Sequence, residues 1–580
     1  MIYLFNLTEF STLHFLILLM RRKDIYLLPR FPVFSPSTRL LEKLANWSIK
    51  TGRAKPITAI CPELTPDWDH PLTMLHNIFE EIEDWQCQYY QFDQDLSRLH
   101  DYATAYKQVV TNYLSLRLYN IYAIGRFREE MKQKEFSVIG VSPDIADAVG
   151  AFCGKEIKNN IRPFKVPNLI LNFAVTISIV IFSWLWISSR IRLFLGPAKT
   201  YSFMADYIGD MDDMNLYPDM TDDGNMRLVA RSKRNMAEYL PDQISQIDYG
   251  PVTEGVLDAA QGLLSIGHVF RNSLRLLVFA GRFETALYFK LISMPFKRMV
   301  YRALFRRFRP KVFWGRDAYN VEHILRRPEL NAVGGQSWCT FHGYPIYSCI
   351  YPMFRYISLD RLFTVSRSFY KKYYAANWNS DIVVKDTSTF RASREVFSMR
   401  APAETKPPDV LILCSIFIRE PIMTDFVRTI AIAFPNRKIY LQVKPGFRKL
   451  ESGRFFVKEC TDGIPNIVVS EARPYDLFAK ARYVFSDPST AIMEALQFGS
   501  MSFSIDFPSV QRVSPLREFK EICISSGDMA VERINLIENG LDDYPIDSVK
   551  SLANLSGICF QDAIRTELGL MPREPARPVW

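Results

Sequence analysis

Short apolar segments that alternate with helical ones fill the C-terminal third of the chain, and they constrain the fold more than any other feature. The strand-like segments "VLILC", "KIYLQVK", "NIVVS", "YVFS" and "SFSIDF" are almost continuously apolar. Segments with helical spacing, such as "IMTDFVRTIAIAF" and "STAIMEALQFG", stand between them. Uninterrupted apolar strands are typical of a parallel sheet covered by helices on both faces. We therefore predict an α/β domain over 409–580, preceded by a proline-rich linker at 400–408.

The first two-thirds of the chain alternate in the same way, but less regularly. We predict a second Rossmann-like domain over 1–399, with a long helical insertion at about 162–309. The N-terminus is predicted to contribute a strand (Ile2–Phe5), a helix (Ser11–Arg22) and a second strand (Asp24–Leu28). A signal anchor is disfavoured there because the basic residues follow the apolar stretch. The predicted fold class is α/β with two Rossmann-like domains.

Composition excludes some function classes. A chain of 580 residues is too long for one core. Its net charge of +9 suits a phosphorylated substrate or a lipid headgroup surface, and it is too small and scattered to indicate nucleic acid binding. The nine cysteines include no CxxC pair, which favours free thiols in a reducing compartment.

Two segments within the predicted insertion suggest membrane contact. Val166–Ser189 carries no charge and is long enough to span a bilayer. Its polar residues share one side of a helical wheel: Asn168, Asn172, Thr176 and Ser183. A single crossing would separate the strands before and after it if they join one sheet. We therefore prefer a helix that dips into one leaflet, and keep a buried soluble helix and a true span as alternatives.

The second segment, Lys290–Lys311, is rich in lysine and arginine, with interleaved apolar residues and no acid. A basic amphipathic helix of this kind is typical of anionic headgroup surfaces. The alternative is a solvated helix that covers its own domain.

The stretch "SDPSTAIMEALQFG" joins an apolar strand to a helix. Ser489 and Thr490 lie at this join, where hydroxyls and unpaired backbone N–H groups of a first helical turn can bind an anion. Glu494 follows one turn later on the same face, so its carboxylate can accept hydrogen bonds from two ribose hydroxyls. Gly499 is positioned to end the helix. An ordinary N-cap is the alternative interpretation.

Three further strand-to-loop junctions carry polar residues. In "WCTFHGYP", His342 precedes a glycine that permits a sharp turn, and histidine suits general base catalysis near neutral pH. In "QVKPGFRK", Lys444 and Arg448 can neutralise phosphate. In "WGRDAYNVEH", Asp317 is an alternative base or the N-cap of a helix. The acids of "ADYIGDMDDM" fit no metal-binding loop, and we predict no metal.

The segment from Asp409 to Phe507 resembles the donor-binding half of GT-B glycosyltransferases, through its strand, Ser/Thr turn, helical glutamate and closing glycine. The segment around His342 is similar to the His-Gly loop of bacterial capsule, teichoic-acid and surface-polysaccharide transferases. The resemblance implies a base or phosphate contact for His342. Related transferases often have His-Pro where this chain has Lys444 and a proline, which puts a two-histidine mechanism in doubt.

The resemblance implies a metal-independent glycosyltransferase of surface polysaccharide biosynthesis at the cytoplasmic face of the inner membrane. It would need no cofactor beyond its nucleotide-sugar donor, and a lipid-linked saccharide would be its acceptor. Ser489, Thr490, Lys444 and Arg448 would hold phosphates and Glu494 the ribose. Two alternatives are a polyol-phosphate transferase of the CDP-glycerol type and a catalytically inactive GT-B scaffold in a polysaccharide assembly complex.

Overall fold

The computed structural model of the chain describes twenty ranges of residues: 2–7, 11–21, 23–28, 36–61, 102–115, 118–131, 134–154, 161–162, 165–194, 196–207, 220–222, 224–230, 247–315, 321–340, 356–373, 375, 381–415, 421–506, 515–573 and 578–580. The chain forms two compact units. The first unit comprises Met1–Leu195 and Val256–Val300, and the second comprises Gly196–Gly255 and Tyr301–Trp580.

The first unit contains a five-stranded parallel sheet in the order β3-β2-β1-β4-β5. The strands are β1 (Ile2–Phe5), β2 (Ile25–Leu27), β3 (Lys55–Pro56), β4 (Phe136–Ile139) and β5 (Ile161–Arg162). Its helices are α1 (Thr12–Met20), α2 (Pro36–Lys50), α3 (Ala103–Ser115), α4 (Leu118–Glu130), α5 (Pro143–Cys153), α6 (Lys165–Arg190), α7 (Ala259–Leu276) and the first part of α8 (Thr285–Arg307). The strand–helix–strand prediction for the N-terminus is confirmed by β1, α1 and β2.

The second unit contains two parallel sheets. The first has seven strands in the order β12-β11-β10-β9-β6-β7-β8. Its elements are β6 (Lys199–Tyr207), β7 (Met226–Ala230), β8 (Asp248–Pro251), β9 (Phe308–Gly315), α9 (Glu322–Asn331), β10 (Gln336–Thr340), β11 (Arg361–Thr364), α10 (Arg367–Tyr373) and β12 (Val383–Asp386). The helix α11 (Arg394–Ser398) follows, in the stretch that leads to the other sheet.

The other sheet of the second unit has six parallel strands in the order β15-β14-β13-β16-β17-β18. Its strands are β13 (Val410–Cys414), β14 (Ile439–Val443), β15 (Ile467–Val469), β16 (Tyr483–Ser486), β17 (Met501–Ile505) and β18 (Cys523–Ile524). Its helices are α12 (Pro421–Ala433), α13 (Pro445–Arg448), α14 (Glu451–Thr461), α15 (Pro474–Phe478), α16 (Ala491–Gln497), α17 (Gly527–Glu538) and α18 (Ile546–Val549). The last helix, α19 (Phe560–Glu567), packs through Phe560 and Ile564 on the seven-stranded sheet. The central strands β13, β16 and β17 are buried on both faces, as the sequence predicts.

The predicted α/β class and the two Rossmann-like sheets are confirmed, but the strands are divided differently from the prediction. The strands before 162 form a sheet of their own and do not join β6–β12. The predicted insertion at 162–309 is not purely helical, because it contains β6, β7, β8 and the start of β9. The argument that flanking strands share one sheet across the uncharged segment is therefore wrong.

The two segments proposed for membrane contact differ in their exposure. Within the described residues one helix, Leu169–Arg190, is long and apolar enough to cross a membrane. Only 22% of its apolar window is buried, which contradicts a buried soluble helix. The prediction for Lys290–Lys311 is wrong in two respects. Residues 308–311 belong to β9, and most apolar side chains of the predicted segment are buried, among them Leu291, Met299 and Leu304.

Candidate functional site

The strand order of the six-stranded sheet marks one position where ligands bind. Counted along the chain, the order is 3-2-1-4-5-6, so β13 and β16 are neighbours although two strands intervene in sequence. Chain connections leave this point in opposite directions, and in open α/β sheets ligands bind in the crevice outside the carboxyl ends of such strands. Ser415 follows the last residue of β13, and Asp487 follows the last residue of β16.

A buried carboxylate joins the two strand ends. Asp487 is 1% exposed. Its Oδ2 accepts hydrogen bonds from the backbone N–H and from the hydroxyl of Ser415, both at 2.6 Å. Burial raises the pKa of Asp487 to about 6, against the opposing effect of these bonds and of the nearby charge of Lys444. A carboxylate that titrates so close to neutral pH at a strand end is typical of functional sites.

Lys444 supplies the positive charge of the site. It follows the last residue of β14, and its backbone N–H donates to the carbonyl oxygen of Cys414 at 2.9 Å. Its exposed side chain acts electrostatically on Asp487. The ends of β14, β13 and β16 therefore bring an ammonium, a serine and a carboxylate together at one sheet edge.

The "SDPST" turn has the predicted strand–turn–helix form. The Ser489 hydroxyl lies 3.0 Å from that of Ser486 and accepts from the backbone N–H of Ala491 at 3.2 Å. Thr490 is the N-cap of α16 and its side chain makes no capping hydrogen bond. Because α16 has only seven residues, its dipole is a weak source of anion affinity, and the hydroxyls remain as ligands. Gly499 has φ 77° and ends this segment, as predicted.

Glu494 is half-buried and already holds protein donors. Its Oε1 accepts a hydrogen bond from the Thr389 hydroxyl at 2.9 Å, and the Tyr475 hydroxyl lies 3.4 Å from both carboxylate oxygens. Burial raises the pKa of Glu494, while the charge of Arg391 opposes this. One turn further on, Gln497 accepts from the backbone N–H of Thr389 at 2.8 Å. Glu494 therefore also fixes the segment that follows β12, a role that the sequence did not indicate.

The side chain of Arg448 already has an ionic partner. It lies at the end of α13 and forms an ion pair with Glu471, which is largely exposed. Exposed ion pairs contribute little to stability, so a phosphate can compete for this side chain. The structure brings Ser489, Thr490, Lys444 and Glu494 to the edge of one sheet, and it gives Arg448 a partner of its own.

The two predicted catalytic residues, Asp317 and His342, lie outside the described residues. The strands that precede them, β9 and β10, are neighbours in the seven-stranded sheet and end at Gly315 and Thr340. Both roles remain predictions.

A buried ion pair lies at the switch point of the seven-stranded sheet, where β6 and β9 are neighbours. Arg326 of α9 donates to Asp206 of β6 at 3.1 Å, and both side chains are buried. A Cβ atom on Gly315 would lie 1.6 Å from the Arg326 guanidinium, so a side chain at this position would displace Arg326. The described residues offer no partner to Nε and Nη2 of Arg326.

Among the described residues, no group of three or more His, Cys, Asp or Glu side chains is arranged to hold a metal ion. The cysteines among the described residues are free thiols, and most of them are buried.

Sequence reasoning missed four contributors to the site: Asp487, Ser415, Thr389 and Tyr475. The signal for Asp487 and Ser415 was present, because each directly follows an apolar strand. Thr389 and Tyr475 carry no such signal, since only the tertiary structure brings them to Glu494.

Comparison with known proteins gives distant structural similarities only. No protein-family model and no curated protein sequence matches the chain. MurG of Acinetobacter baumannii is 10% identical, with 65% of this chain and 100% of that chain covered and a TM-score of 0.37. The UDP-GlcNAc 2-epimerase of Neisseria meningitidis, bound to UDP-GlcNAc, is 10% identical, with 64% and 98% covered and a TM-score of 0.39. UGT71G1 of Medicago truncatula, complexed with UDP-glucose, is 10% identical, with 64% and 97% covered and a TM-score of 0.35. Likenesses at this level identify no activity.

Proposed function

We propose that the chain is a glycosyltransferase that binds a nucleotide-activated sugar at the carboxyl edge of the six-stranded sheet. The observation that carries the proposal is the grouping of Asp487, Ser415 and Lys444 at the switch point between β13 and β16, beside the hydroxyls of the "SDPST" turn. A doubly wound sheet binds ligands at this point, and these groups match a nucleoside diphosphate.

Each part of the donor would meet a different group. Lys444 would neutralise diphosphate charge as a compact cation. The hydroxyls of Thr490 and Ser489 would donate to phosphate oxygens. The Glu494 carboxylate accepts one bond of normal length and two long ones, and an ionised carboxylate has about four acceptor positions. It therefore retains capacity for the two ribose hydroxyls.

The transfer would need one proton acceptor. The oxygen of the acceptor hydroxyl attacks the anomeric carbon, its proton passes to a general base, and the nucleoside diphosphate leaves with the bonding electron pair. His342 is the proposed base and Asp317 the second candidate. Lys444 would stabilise the negative charge that develops on the leaving diphosphate. We propose no bound metal for this step.

The proposal extends to location and acceptor. The enzyme would work at the cytoplasmic face of the inner membrane in surface polysaccharide synthesis, with a lipid-linked saccharide as acceptor. The exposed apolar helix Leu169–Arg190 supports this placement.

The test is a thermal-shift screen of the full chain against UDP, GDP, CDP, CMP and ADP. A nucleotide that binds only the folded state raises the melting temperature. We expect one nucleotide to raise the melting temperature of the wild type and of Thr389→Val. The Thr389→Val variant removes a hydrogen-bond donor to Glu494 but keeps the Glu494 carboxylate. Glu494→Ala and Lys444→Ala should abolish the shift, whereas Arg448→Ala should reduce it less.

The variants separate a ligand contact from a structural role. If Thr389→Val loses the nucleotide effect as completely as Glu494→Ala, the glutamate acts only by fixing the segment after β12. If no nucleotide shifts the wild-type melting temperature, the donor site is disproved and the scaffold alternative is favoured. A nucleotide that binds without sugar transfer to any lipid-linked acceptor also favours the scaffold.

A further inference from the structure

The helix α6 of the first unit has its polarity reversed relative to a helix of a soluble protein. Three of its polar side chains are buried: Asn172, Thr176 and Ser183. Asn172 donates to the carbonyl oxygens of Ala280 and Phe283 at 2.7 and 2.9 Å. The Thr176 hydroxyl lies 2.8 Å from that of Tyr288. Most of the exposed residues are large and apolar: Leu169, Ile170, Leu171, Phe173, Ile177, Ile181, Phe182, Trp184 and Leu185.

The helix α7 shows the same reversal. Its buried positions hold mainly small or polar residues: Gly262, Ser265, Val269, Asn272, Ser273 and Leu276. Its exposed positions include four large apolar residues, which are Leu263, Leu264, Phe270 and Leu274. Small residues between helices and large apolar ones outside are typical of helices that pack in lipid. In water the same arrangement leaves apolar area exposed without compensation.

The two helices lie antiparallel, so their exposed residues form one surface. A Cβ atom on Gly262, near the start of α7, would lie 2.4 Å from Ile191, which follows the end of α6. Asn172, near the start of α6, bonds to Ala280, which follows α7. We call the exposed apolar residues of α6 and α7 the apolar face.

The charge around the two helices is mainly positive. The stretches 165–194 and 259–283 contain no aspartate or glutamate, and Asp258 and Glu284 directly flank the second stretch. The charged residues within the stretches are all basic: Lys165, Arg190, Arg192, Arg271, Arg275 and Arg282. A mainly cationic border around an apolar face complements an anionic lipid surface.

Contacts within the first unit indicate how α6 and α7 are oriented relative to a membrane. Tyr102, which precedes α6 in the chain, hydrogen-bonds His268 in the middle of α7. Its ring also lies 5.3 Å from the guanidinium of Arg298. The folded part of the unit thus lies beside the middle of α7, and through Thr176 and Tyr288 also beside the middle of α6. The middle of a crossing helix lies in hydrocarbon, so polar and charged side chains such as those of His268 and Arg298 beside the middle of α7 favour helices that lie along the membrane surface.

We propose that α6 and α7 together form a monotopic membrane anchor, with the apolar face buried in one leaflet of an anionic bilayer and the arginines at its headgroups. The anchor involves only first-unit residues and is independent of the proposed nucleotide site.

The test is flotation of the full-length protein with vesicles of phosphatidylcholine, alone or mixed with phosphatidylglycerol. We expect binding that is stronger with phosphatidylglycerol and weaker at high salt. Phe173→Asp with Ile181→Asp should lower the partition coefficient by at least ~10-fold, because burying one such side chain corresponds to roughly 10- to 100-fold in partition. The matched control is Phe455→Asp with Ile432→Asp, two comparably exposed residues of the second unit, which should bind vesicles like the wild type.

Equal binding by both double variants would overturn the proposal. So would a stable dimer that ignores vesicles and that Phe173→Asp with Ile181→Asp dissociates, since a second copy would then cover the apolar face. Glu494→Ala should still bind vesicles, so failure of the nucleotide site and failure of the anchor are distinguishable.

The depth of α6 is measured separately. Ser178 is exposed near the middle of α6. A fluorophore on Ser178→Cys should be quenched more by lipids that carry the quencher near the headgroup than by lipids that carry it near the chain end, with labelled wild type as the background. Stronger quenching from the chain end would show a crossing helix and refute the monotopic arrangement.

Discussion

Replacing Asp487 with asparagine tests the electrostatic basis of the candidate site. Asparagine has nearly the same shape, and its side-chain oxygen can still accept both hydrogen bonds from Ser415. The substitution therefore removes the buried charge and leaves the contact between the ends of β13 and β16.

Whether the ionised Asp487 stabilises or destabilises the fold follows from the direction in which folding changes its pKa. The pKa of Asp487 rises from 3.8 to about 6 on folding, so the folded chain binds the proton more tightly than the unfolded chain. The ionised carboxylate thus destabilises the fold above about pH 6, and this cost disappears as the pH falls towards 4. At about 1.4 kcal/mol per pKa unit, the full cost is about 3 kcal/mol.

We expect Asp487→Asn to be more stable than the wild type at about pH 8, by up to ~3 kcal/mol, with ~1.4 kcal/mol of this advantage lost by about pH 5. The second unit comprises 196–255 and 301–580, and for a cooperative unit of that size this corresponds to a melting temperature roughly 4 °C higher at the upper pH. Urea denaturation and thermal melts across this pH range measure both quantities.

The control is Asp547→Asn, which removes a carboxylate that is 90% exposed, and it should not be more stable than the wild type at about pH 8. A stability difference between Asp487→Asn and the wild type that is constant from about pH 5 to 8 would refute the buried-charge argument. A loss of stability at the upper pH would show that the carboxylate is needed structurally.

Four other substitutions test the packing around the sheets. Lys406→Met should lower the free energy of unfolding by ~2–4 kcal/mol, because the buried amino group donates to the backbone carbonyls of Phe478 and Phe498 at 2.8 and 2.7 Å, and both would lose this donor; an unchanged urea midpoint would contradict this. Gly499→Ala should cost more than ~2 kcal/mol, since its φ is 77° and its Cβ would lie 2.3 Å from a backbone oxygen. At Gly540 φ is 64° and no atom lies within 4 Å of the added Cβ, so Gly540→Ala should cost less stability than Gly499→Ala. Equal losses of melting temperature in the two variants would refute the steric contribution at Gly499. Asp206→Ala should cost ~3–5 kcal/mol because Arg326 is left buried without its carboxylate, and a thermal melt like that of the wild type would contradict a buried pair.

The sequence predicted local structure better than it predicted which strands share a sheet. The apolar run before Asp487 and the glycine at 499 define a strand, a turn and a short helix, and the structure has all three. The same apolar periodicity occurs in every strand, so it does not reveal that β1–β5 and β6–β12 belong to different sheets. Side-chain partners distant in sequence were equally inaccessible, because Ser415 and Asp487 are brought together only by the crossover between β13 and β16.

The uncharged segment shows a related limit of pattern reasoning. The sequence placed Asn172 and Thr176 on one side of a helix, which is correct. A helical wheel does not say whether that side faces water or protein. The structure shows that it faces protein, and this reverses the meaning of the amphipathicity.

The three sheets share one topology but differ in what lies at their switch points, and this difference locates the proposed donor site. In the first unit the Asn6 amide donates to the Gly140 carbonyl at 2.9 Å. This hydrogen bond links the residues that follow β1 and β4, which are neighbouring strands. At the seven-stranded sheet, Asp206 and Arg326 form a buried pair.

At the six-stranded sheet the described groups are a carboxylate that titrates near pH 6, the hydroxyls of the "SDPST" turn and the exposed ammonium of Lys444. The Asn6 amide has its acceptor and Arg326 its carboxylate within the protein, whereas the Lys444 ammonium is exposed, so an anionic ligand can reach it. A shared fold does not by itself give a shared function, and the charges at the strand ends decide which sheet is equipped for a diphosphate.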